Sequence, residues 1–306
     1  MMSEQPVHGD RLVTADDLGV LQAQLVSDQF QQGTPPEAIY HYTRQPGVIG
    51  ILQSCQLWCT DIRFLNDSRE LTWTQEIANN LLERNAASLS NERVKGLHAE
   101  WRRALGFFPG YPLYVASFSE ERDQLSQWRA YGHGGGYAIG LAPEQLIQAI
   151  PHAPLPGMLL RCIYDVDEQH ALVRAALDRL TSVFERQPSD TSPASFAHHF
   201  FGYLLVAGAC FKHPKFAEER EWRLVFRSRM PDRAATDFRV GTSTVVPYIK
   251  FPLAPDGAPL PLREVVVGPT PHLSAACDAV AQLMATLHPQ PPNAMIAAST
   301  IPYRDW

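Results

Sequence analysis

The sequence predicts an α+β protein, and three observations carry that expectation. Helical and strand-like periods are mixed along the chain without the steady strand–helix–strand alternation of a doubly wound sheet. The 25 prolines and 19 glycines among 306 residues break the chain into many short elements. Apolar residues make up 45% and charged residues 19%, an ordinary globular composition. At this length roughly 70–75% of the unfolded chain's surface can be buried, so no disulfide or metal staple is required.

A first helix is expected over residues 14–32, with Thr14 as its cap, Asp16 and Asp17 at its positive end, and Leu18, Leu21, Leu25 and Phe30 as its apolar stripe. Gly33-Thr34-Pro35-Pro36 stops it. Residues 1–36 therefore read as an N-terminal helical extension of a single domain over 37–306. A strand at 38–43, a helix opened by Pro46 and a strand at 57–61 follow. Asn66 and Asp67 precede a long helix to about residue 83, and another spans about 90–105. Residues 114–118, 137–141 and 161–164 read as strands, with a short helix over 124–131 and a glycine turn at 132–136. Helices are expected at about 167–184, 193–211 and 272–287, and strands near 221–227, 244–250, 262–267 and 294–298.

Charge and cysteine usage narrow the functional classes. With 26 basic and 32 acidic residues the net charge is −6, which excludes coating nucleic acid by bulk charge but leaves room for a local basic groove. Five cysteines without a CxxC pair form neither a disulfide framework nor a zinc ribbon. No histidine spacing matches a metal motif, so no metal is expected. Scattered thiols and the polar opening MMSEQPVHGD predict a cytoplasmic protein. The most apolar stretch, residues 200–211, is shorter than the roughly 18–20 residues a membrane span needs, so it reads as a buried core helix.

Four clusters concentrate polar chemistry. In Tyr40-His41-Tyr42-Thr43, strand alternation puts His41 and Thr43 on one face. They either present two hydrogen-bonding groups to one ligand or form a satisfied core pair. In Thr60-Asp61-Ile62-Arg63-Phe64-Leu65-Asn66-Asp67, a cap accounts for one of Asn66 and Asp67, but not for Arg63, whose planar fork suits phosphate or carboxylate. In the segment around Ser126, Trp128, Arg129 and Tyr131, the three-residue spacing of Trp128 and Tyr131 suits core more than site, and Ser126 and Arg129 share a helical spacing that can face a pocket. In Glu218-Glu219-Arg220-Glu221-Trp222-Arg223, Glu219 and Glu221 fall on one strand face, where each raises the other's cost of ionisation, or else form a solvated surface. Arg220, Arg223, Arg227, Arg229, Arg233 and Arg239 either line a phosphate groove or protect a strand edge. His133-Gly134-Gly135-Gly136 lacks a GxSxG partner, and the turn lacks the order of a phosphate-binding loop.

Read together, YHYT, GVIGILQSCQLWCTDIRFLND, VASFSE, LSQWRAYG with YAIGL, FKHPKFAEEREWRLV, EVVVGP and the closing IPYR resemble an uncharacterised bacterial family catalogued as a domain of unknown function, over about residues 38–304. The opening YHYT…GVIGIL…LW is also similar to the start of ADP-ribosyltransferases, especially bacterial toxins that modify DNA. That resemblance implies a split β-sheet core with flanking helices, and NAD as co-substrate without a metal. It assigns NAD contacts to His41, Tyr42, Thr43, Arg63, Asn66, Ser126, Trp128 and Arg129, and catalysis to Glu221 with His41 and Arg63. It places Glu219 and Arg223 at the acceptor. Cys55 and Gln56 depart from the family's turn glycine. The implied activity is ADP-ribosyl transfer to a nucleic acid or protein, in a toxin or antiviral-defence role with a cognate antitoxin or defence-system partner, away from membranes. Alternatives are an NAD glycohydrolase and a non-catalytic ligand sensor on a degenerate transferase fold. A metal-dependent nuclease using Asp61, Asp67, Glu219 and Glu221 is selected by no spacing.

Overall fold

In the computed structural model, residues 15–31, 34–65, 70–86, 88–228, 235–287 and 294–304 are described. The strands are β1 (Ile39–Arg44), β2 (Gln56–Asp61), β3 (Leu113–Ser119), β4 (Gly136–Leu141), β5 (Gly157–Arg161), β6 (Glu221–Arg227), β7 (Asp237–Val240), β8 (Val245–Pro252), β9 (Leu262–Val267) and β10 (Met295–Ala298). The α-helices are α1 (Ala15–Phe30), α2 (Gln45–Ser54), α3 (Glu70–Ala86), α4 (Glu92–Leu105), α5 (Leu125–Tyr131), α6 (Pro143–Ala149), α7 (Val166–Glu185), α8 (Pro193–Cys210) and α9 (Leu273–Ala285). The fold is α+β. The chain divides into two compact units: residues 31–70, 112–166 and 209–306 carry every described strand, and residues 1–30, 71–111 and 167–208 carry most of the long helices.

The strands form one mixed sheet in the order β10-β9-β4-β1-β3-β2-β8-β7, with β6 on β3 and β5 on β6. Among the described strands, β9 and β10 alone pair in parallel. Branching occurs at β3. One edge of β3 pairs with β6 along its full length, from Leu113 opposite Arg227 to Ser119 opposite Glu221. The other edge is shared. β2 takes its start, at Val115 and Tyr114, and β1 takes its end, where Tyr40 faces Ser119. β1 and β2 therefore diverge along β3, and the sheet is split beside Ala116, Ser117 and Phe118.

Period-two alternation decides what each face buries. On β1, Ile39 packs into the larger core with Phe118, Leu224, Phe226 and Phe251, while Tyr40 and Tyr42 join Trp128, Ala138 and Val266 on the opposite face. On β6, Trp222, Leu224 and Phe226 go to the larger core, and Glu221 and Arg223 share the other face. α2 ends at Cys55 in the left-handed region (φ 53°), the conformation that usually selects glycine, and the Cys55 carbonyl accepts from the Leu253 amide at 2.8 Å.

Several boundaries differ from the sequence expectation. The strand placed at 161–164 lies at Gly157–Arg161, and Ile163 lies beyond it in an isolated bridge to Phe211. The alternation expected from Glu219 through Arg223 is broken: residues Pro214–Glu219 form a 3₁₀ turn, and Arg220 adopts a left-handed conformation (φ 41°) before β6 begins. β7 had no counterpart in the sequence reading, because its exposed Phe238 and Val240 give no core-directed pattern. Thr14, Asn66 and Asp67 lie outside the described residues.

In the helical unit, α8 is buried along its apolar run: Phe200, Leu204, Leu205 and Val206 are each at most 1% exposed. No described helix is long and apolar enough to cross a membrane. His199 is buried, neither ring nitrogen has a hydrogen-bond partner, and its ring lies 3.9 Å from that of His198. Burial, with repulsion from His198, lowers its pKa to about 4. A histidine whose folded pKa lies below its unfolded value of 6.5 contributes stability that is complete above pH 6.5 and lost as the pH falls toward 4. The His199→Phe variant is expected to flatten this dependence: the wild type loses about 1–2 kcal/mol more than the variant between pH 7 and 4.5, read from urea midpoints.

Candidate functional site

The split in the sheet opens into a cleft of about 520 Å³, within the range of about 300–1,000 Å³ typical of ligand sites. Residues 115–119 of β3 line it, with Tyr40, His41 and Tyr42 from β1, Trp58 and Thr60 from β2, and Glu221 and Arg223 from β6. α5 adds Gln127, Ala130 and Tyr131, and the segment after α8 adds Lys212, Phe216 and Glu219. The elements come together because β1 and the start of β6 both meet the end of β3: Tyr40 faces Ser119, and Ser119 faces Glu221.

His41 bridges the split. Its Nδ1 lies 2.9 Å from the carbonyl oxygen of Ser117. A carbonyl only accepts, so Nδ1 carries the proton and Nε2 is the ring atom left to accept. Burial lowers the imidazole's pKa, partly offset by the Ser117 carbonyl, so the ring is neutral at pH 7. Phe118 holds it edge-on, with centroids 5.8 Å apart. The N–H and C=O of a residue in an antiparallel strand point to the same edge, so the Ser117 N–H also faces the split.

Across the cleft lies a four-charge cluster. Glu221 Oε1 accepts from Arg223 Nε at 2.6 Å, and Oε2 accepts from Lys212 Nζ at 2.5 Å. Lys212 also donates to Glu219, and Arg223 Nη1 donates to the Ala209 carbonyl at 2.8 Å. Burial alone would raise the pKa of Glu221, but Arg223 and Lys212 outweigh it and hold the carboxyl down to about 2. Glu219 goes the other way: burial raises its carboxyl despite Lys212, and the Glu221 charge adds to the rise. One group is a fixed anion and its neighbour a carboxylate that ionises less readily, the separation that two carboxyls need for different roles. Main-chain ties set the geometry: the Glu221 amide donates to the Tyr164 hydroxyl at 2.8 Å, and the Ser119 hydroxyl donates to the Glu219 carbonyl at 2.7 Å. Burial, then the charges of Glu221 and Glu219, raise the pKa of Tyr131 on the α5 wall.

Of the residues singled out from sequence, His41, Tyr42, Glu219, Glu221 and Arg223 line this one cleft. Tyr42 presents its hydroxyl away from β1, donating to the Glu121 carbonyl at 2.6 Å. Thr43, Arg63, Ser126, Trp128 and Arg129 are not among the lining residues. Arg63 forks onto Asp61 at 2.9 and 2.5 Å, and Trp128 is buried with Nε1 donating to Asp123 at 2.7 Å. Arg129 is exposed, with its guanidinium 5.4 Å from the Tyr303 ring. The Ser126 hydroxyl is buried without a partner. Asn66 lies outside the described residues. Among the arginines of the basic stretch, Arg239 lines the cleft and donates to Thr60 Oγ1 at 3.2 Å, while Arg229 and Arg233 lie outside the described residues.

Lys212 and Gln127 were missed. The signal for Lys212 was present: a lone lysine directly follows the most apolar run in the chain, where a buried ammonium needs carboxylate partners. Gln127, between Ser126 and Trp128, carried none. The described residues hold no group of three or more His, Cys, Asp or Glu side chains placed to bind a metal.

Neither a curated protein nor a solved structure matches the chain. Residues 127–224 match a family described as proteins of unknown function (DUF2971), a span that runs from the α5 wall to β6 and contains Lys212, Glu219, Glu221 and Arg223.

Proposed function

We propose that the cleft binds NAD and that the protein is an ADP-ribosyltransferase acting on a nucleic-acid or protein acceptor. The observation that carries this reading is the meeting of His41 and Glu221, 180 positions apart, on the walls of one cleft in a split sheet. The resemblance of the YHYT strand and the Glu219-x-Glu221 pair to that superfamily supplies the chemistry. Neutral His41, its Nδ1–H held by Ser117, offers Nε2 to a ribose hydroxyl. The rings of Tyr131 and Phe216 offer apolar faces to the nicotinamide.

In the reaction the C1′–N bond of the nicotinamide riboside breaks, and its electron pair leaves with nicotinamide. The acceptor nucleophile then bonds to C1′ and gives up its proton. Positive charge develops on the ribose, and a fixed anion favours it. Glu221 is such an anion. Oε1 takes one strong hydrogen bond, from Arg223, so it retains acceptor capacity toward the cleft. Glu219, with its raised pKa, is the carboxylate suited to take the acceptor's proton.

The test is release of nicotinamide from NAD, with and without cell extract, DNA or protein, using NAD labelled in its adenylate. The wild type is expected to release nicotinamide and label a macromolecule, and Glu221→Gln to lose roughly 10²–10³ in rate. A His41→Gln variant provides a second measurement if Glu221→Gln fails to fold. No nicotinamide release from the wild type under any condition rejects the reading; free ADP-ribose without a labelled macromolecule assigns water as the acceptor.

A further inference from the structure

We propose that the C-terminal segment 299–303 is a positioning strap that fixes α5, and with it the Gln127 and Tyr131 wall of the cleft, through Asp123 and Arg129. The inference does not depend on which ligand fills the cleft.

α5 needs an external anchor. It has only seven residues, its N-cap Gln124 makes no side-chain capping bond, and Gly132 follows it directly. A helix of two turns has no stability of its own in water, so its pose is set by what holds it. The Asp123 carboxylate, two residues before α5, accepts four hydrogen bonds, three of them from the C-terminal segment. Oδ1 takes the Ser299 hydroxyl at 2.5 Å and Trp128 Nε1 at 2.7 Å; Oδ2 takes the Thr300 amide at 2.8 Å and its hydroxyl at 3.1 Å. One carboxylate thus joins the strap to the indole at the centre of α5.

The strap is itself anchored to the sheet. The Ser299 amide donates to the Val267 carbonyl at 2.7 Å, continuing the β9–β10 pairing, and the Ile301 amide donates to the Ser299 hydroxyl at 3.2 Å. At its far end the Tyr303 ring lies under the Arg129 guanidinium of α5. Burial opposes the charge on Asp123, but these donors bring its pKa below the ordinary aspartate value, so it is an anion at neutral pH. The strap therefore grips α5 at its entry and on its outer side, opposite the residues that face the cleft.

Hydrogen exchange read by mass spectrometry tests this on the full chain, on a Ser299→Ala/Thr300→Ala variant, on Asp123→Asn, and on a chain ending at Ala298. Amides of residues 125–132 are expected to exchange roughly tenfold faster or more in the variants, with β3 and β6 unchanged. Unchanged exchange in α5 overturns the proposal, as does acceleration spread evenly over the sheet, which marks a general stability element. Calorimetry with NAD separates the two readings. If the wild type binds NAD, the double variant is expected to bind roughly tenfold more weakly. If the wild type does not bind it, the proposed function falls while the exchange result still decides the strap.

Discussion

The Lys212→Met variant is expected to lose about 3–5 kcal/mol of stability at pH 8 and to recover part of it on acidification. The Lys212 side chain is only 7% exposed, and its ammonium serves both Glu219 and Glu221. Burial works against that charge, but Glu221 and then Glu219 hold it well above the usual lysine range. Methionine matches the stem in length and removes the charge. Glu221 keeps Arg223 at 2.6 Å, whereas Glu219 loses its ion-pair partner. The Glu219 carboxyl, already raised by burial, rises further and takes up a proton in the folded state. A group whose folded pKa exceeds its unfolded value contributes stability that is present at low pH and lost as the pH rises through the folded pKa. The variant therefore gains on the wild type from pH 8 to pH 5. Glu221 behaves oppositely: held at about 2 against an ordinary 4.5, its contribution is present above pH 4.5 and is lost only as the pH falls toward 2. Urea unfolding of both proteins at pH 5 and pH 8 measures the difference. A loss below about 1 kcal/mol, or one equal at both pH values, would show that the acidic pair does not depend on Lys212.

The strands flanking the cleft were legible because their signals are local. Tyr40 to Thr43 alternates, Pro46 opens the next helix, and the run from Trp222 to Phe226 sends every second residue to the core. The pairing of those strands was not legible, because it depends on the branch at β3, where β1 and β2 each take one end of a single edge. Strand alternation was carried too far on one segment. It placed Glu219 beside Glu221 by periodicity, whereas a left-handed Arg220 separates them and Lys212 brings their carboxylates together. Arg63 was read as open to a phosphate or carboxylate ligand, but the chain enters a 3₁₀ turn at Ile62–Phe64, capped by Asp61, and Arg63 forks back onto that carboxylate. The spacing of Trp128 and Tyr131 reads as core, and only the transferase resemblance made Trp128 an NAD contact; it is buried, against Gly132 one helical turn on and Gly268 far off in the sequence, which no local pattern discloses.

Those glycines make Trp128→Ala the second large effect, at about 3–5 kcal/mol. The indole is 1% exposed and lies in a slot whose walls are main chain. A Cβ on Gly268 would stand 2.8 Å from its ring carbons and 3.0 Å from the Gly136 carbonyl, and a Cβ on Gly132 would stand 3.0 Å from the ring. Tyr42 closes the slot edge-on, with centroids 4.7 Å apart. Truncation to alanine opens a cavity that this backbone cannot collapse to fill, and it also removes a donor from Asp123. The converse change, Gly268→Ala, overpacks the same slot and is expected to cost about 1–3 kcal/mol. The two costs share one cause, so they do not add. With the indole gone, the alanine methyl loses its two closest contacts and keeps the one with the Gly136 carbonyl. The Trp128→Ala/Gly268→Ala double variant is therefore expected to fall short of the summed losses by about 0.5–3 kcal/mol in a thermal or urea cycle. Strict additivity would mean that the indole does not occupy the glycine slot, and α5 would then lack the anchor that fixes Gln127 and Tyr131 on the cleft wall.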